Sequence, residues 1–213
     1  MSETPPHLIL ASTSPRRRDL LRAAGYRFVV RPPPVGEGGV PPQGSPGAYV
    51  ESLAYLKAEA AVEAHGLEDG IVLGADTAVE LDGELLGKPS DPDDARRILA
   101  RLSGTRHRVL TGLALVDLDR GRRLLAHEVT GIRMAPISPD AIDAYVASGE
   151  AMGKAGAYAV QETGDQYVEA MDGSRTNVVG LPMELLERML KAAGYEPTMF
   201  RDGRIEHRPE PRP

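Results

Sequence analysis

Asp76, Thr77 and Lys88 are the residues whose types and spacing could do chemistry together. Asp76 follows the apolar run Ile71-Val72-Leu73, which reads as a short buried strand ending at Gly74. A carboxylate at such a strand end can hold a divalent metal or take a proton from water. Asp82-Gly83 is a tight-turn pair between two short runs, so residues 77–81 and 84–87 are expected to form a hairpin. That hairpin would return Lys88 to the strand end carrying Asp76. An acid, a hydroxyl and a returned lysine suit a phosphate ester with its metal. The plainer alternative is an Asp capping a loop and a solvated Lys before Pro89.

A second basic cluster stands near the start of the chain. Leu8-Ile9-Leu10-Ala11 reads as a buried strand and runs straight into Ser12-Thr13-Ser14-Pro15-Arg16-Arg17-Arg18. Ser14 suits a helix N-cap and Pro15 the first helical position. Free N–H groups and the helix dipole at such an end favour an anion. Arg16 and Arg17 add planar donors matched to phosphate oxygens. Cations at a helix N-terminus oppose the dipole, so these arginines call for an anion to offset them.

Other candidates lie further along. Residues 32–44 form a Pro/Gly-rich loop with Glu37 as its acidic side chain. Ser45-Pro46 opens a helix reaching about residue 65, and Lys57 falls on its apolar face with Val50, Leu53, Ala54, Ala58 and Ala61. A lysine on a buried stripe must either snorkel out or meet an anion. Asp91-Pro92 and Ser138-Pro139 start two more helices, and residues 107–117 and 124–134 read as long strands. His107, at a strand start, is a candidate base, although a structural role is the commoner one there. Lys154 sits among small residues, and Gln161, expected at a strand end, offers one donor and one acceptor for reading a base edge. Residues 177–182 lead into a last helix, and residues 196–213, polar and proline-rich, read mostly as a loosely held tail after a single domain over 1–195.

The totals narrow the class. The chain has 213 residues, of which 41% are hydrophobic, enough for one substantial core, but only 4% are aromatic and Trp is absent. A net charge of −6 argues against general nucleic-acid binding, without excluding a local basic pocket. The absence of Cys removes disulfides, thiolate zinc sites and thiol catalysis. No secretory signal and no membrane-spanning run is apparent, so a cytoplasmic location is expected.

With these residues laid out, the chain resembles the Maf family of nucleoside triphosphate pyrophosphatases. The likeness rests on Leu10-Ala11-Ser12-Thr13-Ser14-Pro15-Arg16-Arg17, on Gly74-Ala75-Asp76-Thr77 with Leu86-Gly87-Lys88-Pro89, and on Leu102-Ser103-Gly104 with His107, Val109, Thr111 and Gly112. Lys154-Ala155-Gly156-Ala157-Tyr158 and Asn177-Val178-Val179-Gly180-Leu181-Pro182 complete it. The resemblance implies a two-lobed α/β fold of the inosine-triphosphatase-like kind, with a mixed, twisted sheet flanked by helices, a cleft between lobes, and a homodimer. It also implies hydrolysis of a nucleoside triphosphate between the α and β phosphates with Mg²⁺ or Mn²⁺. On this likeness Asp76 would be catalytic, Ser12, Ser14, Arg16, Arg17, Lys57, Lys88 and Lys154 would hold phosphates, and Glu37 would join Asp76 at the metal. Arg16, Thr77 and Gln161 resemble the pattern of the branch acting on dTTP and UTP. The chain departs from the usual pattern at Glu37, which lacks a neighbouring acid, at Gly153, where Asp is common, and at Glu162, where Gly is common. A nucleotidyltransferase, and a nucleotide-binding regulator of septum formation without needed turnover, are the alternatives.

Overall fold

In the computed structural model, which describes residues 7–34, 44–160 and 163–201, a mixed sheet of seven strands organises the chain. The strands are β1 (Leu8–Ala11), β2 (Val29–Val30), β3 (Ile71–Leu81), β4 (Glu84–Leu86), β5 (Arg106–Asp117), β6 (Arg122–Met134) and β7 (Val168–Asp172). Their order is β2-β1-β3-β5-β6-β7, with β4 also on β3. β1 runs parallel to β2 and β3, and every other pairing is antiparallel. The helices are α1 (Pro15–Ala23), α2 (Pro46–His65), α3 (Pro92–Leu102), α4 (Pro139–Ala147), α5 (Arg175–Val179) and α6 (Met183–Ala192). This is the α/β class expected, a mixed sheet flanked by helices.

The first four helices each begin at a proline behind a small polar residue. Ser45, Asp91 and Ser138 accept backbone N–H groups in the first turn, which satisfies orphan donors there. The Ser14 hydroxyl makes no such bond.

Side-chain alternation along the strands divides the core by sheet face. Ile9, Ala11, Val72 and Val116 pack on Ala58 and Ala61 of α2. On the opposite face, Leu8, Leu10, Leu73, Leu113 and Leu115 pack on α6 through Leu186, Met189 and Leu190. Further along that face, Val79, Leu81, Val109 and Ile132 pack on α3 and α4. Leu20 of α1 touches both of these latter clusters.

Several elements differ from the sequence reading. β3 does not end at Gly74 but continues to Leu81, so Asp76 lies in mid-strand rather than at a strand end. It is β3's neighbours that stop. β5 occupies one edge of β3 along Ile71–Glu80, so β1 and β4 share the other. β1 leaves that edge at the Ala11–Gly74 pair, and β4 leaves it at the Leu86–Val79 pair. Between them an edge segment of β3 containing Asp76 and Thr77 has no strand partner on that side among the described residues. The hairpin itself is as expected, with Leu81 opposite Glu84 and Asp82 and Gly83 both at positive φ.

The strand beside β1 on its outer edge, β2, is only two residues long, and just ahead of it Tyr26 makes an isolated bridge to Arg201. No strand covers 158–160 ahead of Gln161; a 3-10 turn at Ala155–Ala157 leads into irregular chain. β7 and the short α5 have no counterpart in the sequence pattern. The first residues of the expected tail are docked: Pro197–Phe200 form a 3-10 turn, Phe200 is buried against Tyr195, and Arg201 pairs with Glu187.

Candidate active site

The functional candidates gather around the open segment of β3, on both sheet faces. Alternation sends Asp76 to the α2 face and Thr77 to the opposite one. α2 can lie flush here because Gly74 and Gly112 carry no side chains. A Cβ on Gly74 would collide with the Ala54 carbonyl, and one on Gly112, the partner of Asp76, with the Val50 carbonyl. The close approach brings Lys57 Nζ to 2.6 Å from Asp76 Oδ1, with both residues about as buried as the core. Of the two outcomes open to Lys57, it meets an anion. A buried ion pair of this kind is costly to break because the remaining charge stays desolvated.

On the other face, Arg17 is a buried clamp. Its Nε donates to the Gly180 carbonyl at 2.7 Å, one terminal nitrogen to Ser12 Oγ at 3.2 Å and the other to Thr77 Oγ1 at 3.1 Å. β1's exit turn, α1, β3 and the end of α5 are thereby tied together. Gly180 sits at φ +118°, which a side chain would strain, and closes α5.

Two adjoining hollows open at this clamp. One has a polar side made by Ser14, Arg16, Arg17, Thr77, Lys88 and Lys154, and an apolar side made by Val79, Val109, Tyr158, Val160, Val178 and Val179. The other is lined by Ser12, Ser14, Arg16, Arg17, Lys57 and Lys88, with Pro33 and Gly153 at its rim. Among the described residues, no Asp or Glu lines either hollow, in a chain whose net charge is −6. Lysines and arginines from α1, α2, the β4 exit and the Lys154 turn thus face one basic space. Oxygen-rich polyanions are the ligands such a space favours.

The structure brings Ser12, Ser14, Arg16, Arg17, Lys57, Lys88 and Lys154 to these hollows, with Thr77 on the floor of the first. Asp76 lines neither directly and reaches them through Lys57. Glu37, Gln161 and Glu162 lie outside the described residues. His107 is buried on the α3 side, where its Nε2 is 2.7 Å from the Tyr158 hydroxyl and the rings meet edge-on at 5.6 Å. Burial lowers its pKa to about 4, so it is neutral at pH 7, and it lines neither hollow. Burial also raises the Tyr158 hydroxyl pKa. His107 therefore holds a wall residue rather than acting as a base.

Thr111 and Asn177 gain roles that sequence reasoning did not assign. Thr111 Oγ1 lies 2.9 Å from Thr77 Oγ1 and donates to the Asn177 carbonyl at 2.9 Å. Asn177 Nδ2 donates to the Val109 carbonyl and to Thr130 Oγ1. Both residues stand in the motif blocks quoted above, but a hydroxyl and an amide that bond only inward leave no mark in residue type or spacing.

Among the described residues no group of three or more His, Cys, Asp or Glu could hold a metal by itself, and no helix is long and apolar enough to cross a membrane. Comparison with known proteins gives the family. A family model described as "Maf-like protein" matches residues 7–193. The chain is 49% identical over 188 residues to a dTTP/UTP pyrophosphatase of Symbiobacterium thermophilum, covering 88% of this chain and 94% of that one. It is 47% identical over 189 residues to the dTTP/UTP pyrophosphatase of Pelotomaculum thermopropionicum, covering 88% and 97%. A dTTP/UTP pyrophosphatase of Ruminiclostridium cellulolyticum is 42% identical over 185 residues, covering 87% and 95%.

Proposed function

The chain belongs to the Maf-like protein family, and on that premise we propose that it hydrolyses dTTP and UTP to the nucleoside monophosphate and pyrophosphate. The observation that carries the reading is the basic space wrapped around the open segment of β3, with Asp76 on one face and Thr77 on the other. The triphosphate lies along Arg16, Lys88 and Lys154 and the α1 N-terminus, where charge and dipole both favour it. Arg17 shapes the space by holding Ser12, Thr77 and Gly180. The base stacks against the valine and Tyr158 side, and Gln161, which directly follows Val160, reads its edge. Lys57 holds the Asp76 carboxylate in a fixed orientation. Asp76 positions a water and accepts its proton as the water attacks the α phosphorus in line with the departing pyrophosphate.

The donor set fits a metal shared with substrate rather than one caged by protein. Mg²⁺ in nucleotide enzymes takes one or two carboxylates together with phosphate oxygens, and Asp76 supplies one, with Glu37 as the second candidate. Mg²⁺ or Mn²⁺ bound there would neutralise charge on the phosphates. The reading extends to a homodimer acting in the cytoplasm; light scattering tests the assembly.

The experiment is a panel of natural and modified triphosphates with Mg²⁺ or Mn²⁺, scored for released pyrophosphate. UTP and dTTP should lead it. Orthophosphate as the product, or a UDP-sugar formed when a sugar phosphate is added, would remove the pyrophosphatase reading. Tight UTP binding with metal present and no turnover would favour a regulator instead.

A further inference from the structure

We infer that Thr111 fixes the Thr77 hydroxyl as a hydrogen-bond acceptor, and that this polarity selects pyrimidines carrying an imide N–H; the inference rests on the nucleotide-binding reading above. Arg17 Nη2 to Thr77 Oγ1 is 3.1 Å, Thr77 Oγ1 to Thr111 Oγ1 is 2.9 Å, and Thr111 Oγ1 to the Asn177 carbonyl is 2.9 Å. A guanidinium can only donate and a carbonyl can only accept. The contact at Asn177 therefore contains a proton only if Thr111 supplies it. A hydroxyl has a single proton to give, so the contact between the two threonines must use that of Thr77. Reversing either hydroxyl would face oxygen lone pairs across 2.9 Å. The direction of the whole series is Arg17 to Thr77 to Thr111 to Asn177.

The far end of the series is fully buried and hydrogen-bonded. Thr111 and Asn177 are both 0% exposed, and Asn177 Nδ2 is held by the Val109 carbonyl at 3.0 Å and Thr130 Oγ1 at 2.9 Å. Water cannot reach Thr111 to offer an alternative partner. Thr77, in contrast, is half-buried and lines the hollow. With its proton committed to Thr111 and one lone pair to Arg17, it presents only the remaining lone pair. Gly180 leaves that oxygen approachable, because a Cβ there would come within 3.3 Å of it. Beside it stands the apolar side of the hollow, suited to a flat base. Uracil and thymine bring N3–H to an acceptor, whereas cytosine brings a bare nitrogen lone pair. Thr111 is thus a positioning residue that sets specificity without touching substrate.

The test is calorimetric binding of UTP, N3-methyl-UTP, CTP and dUTP to the full chain in EDTA, so that selectivity is read apart from turnover. Wild type should prefer UTP over N3-methyl-UTP and CTP by about tenfold to a hundredfold, the scale of a buried unpaired polar group. Thr111→Val should bring that ratio close to unity, and Thr111→Ser should restore it. Wild type without the preference, Thr111→Val as selective as wild type, or Thr111→Ser as unselective as Thr111→Val would each overturn the inference. Were Thr111→Val not to fold, Thr77→Val must lose the same preference, and its retention there overturns the inference equally. If Thr111→Val instead levels UTP against dUTP and keeps the N3-methyl penalty, the lone pair meets the ribose and the imide assignment is wrong. A wild type that shows the preference but releases no pyrophosphate supports the polarity and removes only the hydrolytic reading.

Discussion

Gly112 stands opposite Asp76 in the β3–β5 ladder, and its missing side chain lets the α2 backbone rest on the sheet at Val50. Lys57 reaches Asp76 only because of that approach. Gly112→Ala should push α2 away, costing about 1–3 kcal/mol of stability as overpacking does. Its UTP turnover should fall by more than its melting temperature suggests, since the displaced helix carries Lys57. Denaturant melts alongside pyrophosphate release check this, and a variant with unchanged turnover separates α2 seating from the Asp76 environment.

The two partners of the buried ion pair should behave differently when neutralised. Lys57→Met strands a desolvated carboxylate and should cost about 3–5 kcal/mol. Asp76→Asn keeps an oxygen for Lys57 to donate to, so it should fold while releasing no pyrophosphate from UTP. Circular dichroism and a turnover assay on the same preparation decide the matter. Full rate in a folded Asp76→Asn chain means that the water is activated elsewhere.

Much of this site could be read from sequence because charge and turn chemistry are local. Ser14-Pro15 with Arg16 and Arg17, and the Asp82-Gly83 hairpin that returns Lys88, are signals within a few residues, and the structure places them at one space. Sequence alone puts Asp76 at a strand end because Gly74 looks like a terminator. Its actual purpose is close packing against Ala54, a contact across 20 residues of sequence that no local pattern reveals. Thr111 and Asn177 were silent for a related reason, since their partners come from β3, β5, β6 and α5. β7 was missed because it is an edge strand with mostly exposed side chains and little apolar alternation.

His107 makes stability depend on pH. Its folded pKa of about 4 lies below the ordinary 6.5, so the unfolded chain binds the proton more readily. The neutral, buried state is fully favoured above pH 6.5, and stability is lost as pH falls from there towards 4. The size is about 3 kcal/mol, from 1.36 kcal/mol per pH unit. His107→Gln keeps an acceptor for Tyr158 but cannot titrate in this range. The difference between wild type and this variant, measured in denaturant at pH 7 and pH 5, should change sign or shrink in favour of the variant at the lower pH. Parallel curves would mean that His107 takes up its proton as readily in the folded chain as in the unfolded one.

Phe200 closes the core from the C-terminal side. It is 2% exposed, meets Tyr195 at 6.0 Å between ring centroids, and precedes Arg201, which bridges back to Tyr26 and pairs with Glu187. Phe200→Ala should therefore cost about 3–5 kcal/mol, the range for a buried Phe cut to Ala. Because Phe200 packs in the cluster with Leu8, Leu10 and Leu186 and lines neither hollow, the folded fraction should keep its KM for UTP. A denaturant midpoint shift without a KM change is the expected pair of results. A midpoint near wild type would show that the Pro197–Phe200 turn does not stay docked in solution.

Lys88 and Lys154 reach the polar side of the hollow from separate turns, one after β4 and one before the Ala155–Ala157 turn. Each should contribute a charge-assisted bond to a phosphate, about 1.5–3 kcal/mol. Lys88→Ala and Lys154→Ala should each lower kcat/KM for UTP by about tenfold or more. Inorganic pyrophosphate, which carries the same oxygens without a base, should raise the melting temperature of the wild type and do so less at high salt. In the double variant that stabilisation should disappear. A pyrophosphate shift that survives loss of both lysines would move the phosphate tail to the Ser12–Lys57 side of the clamp, beside Asp76.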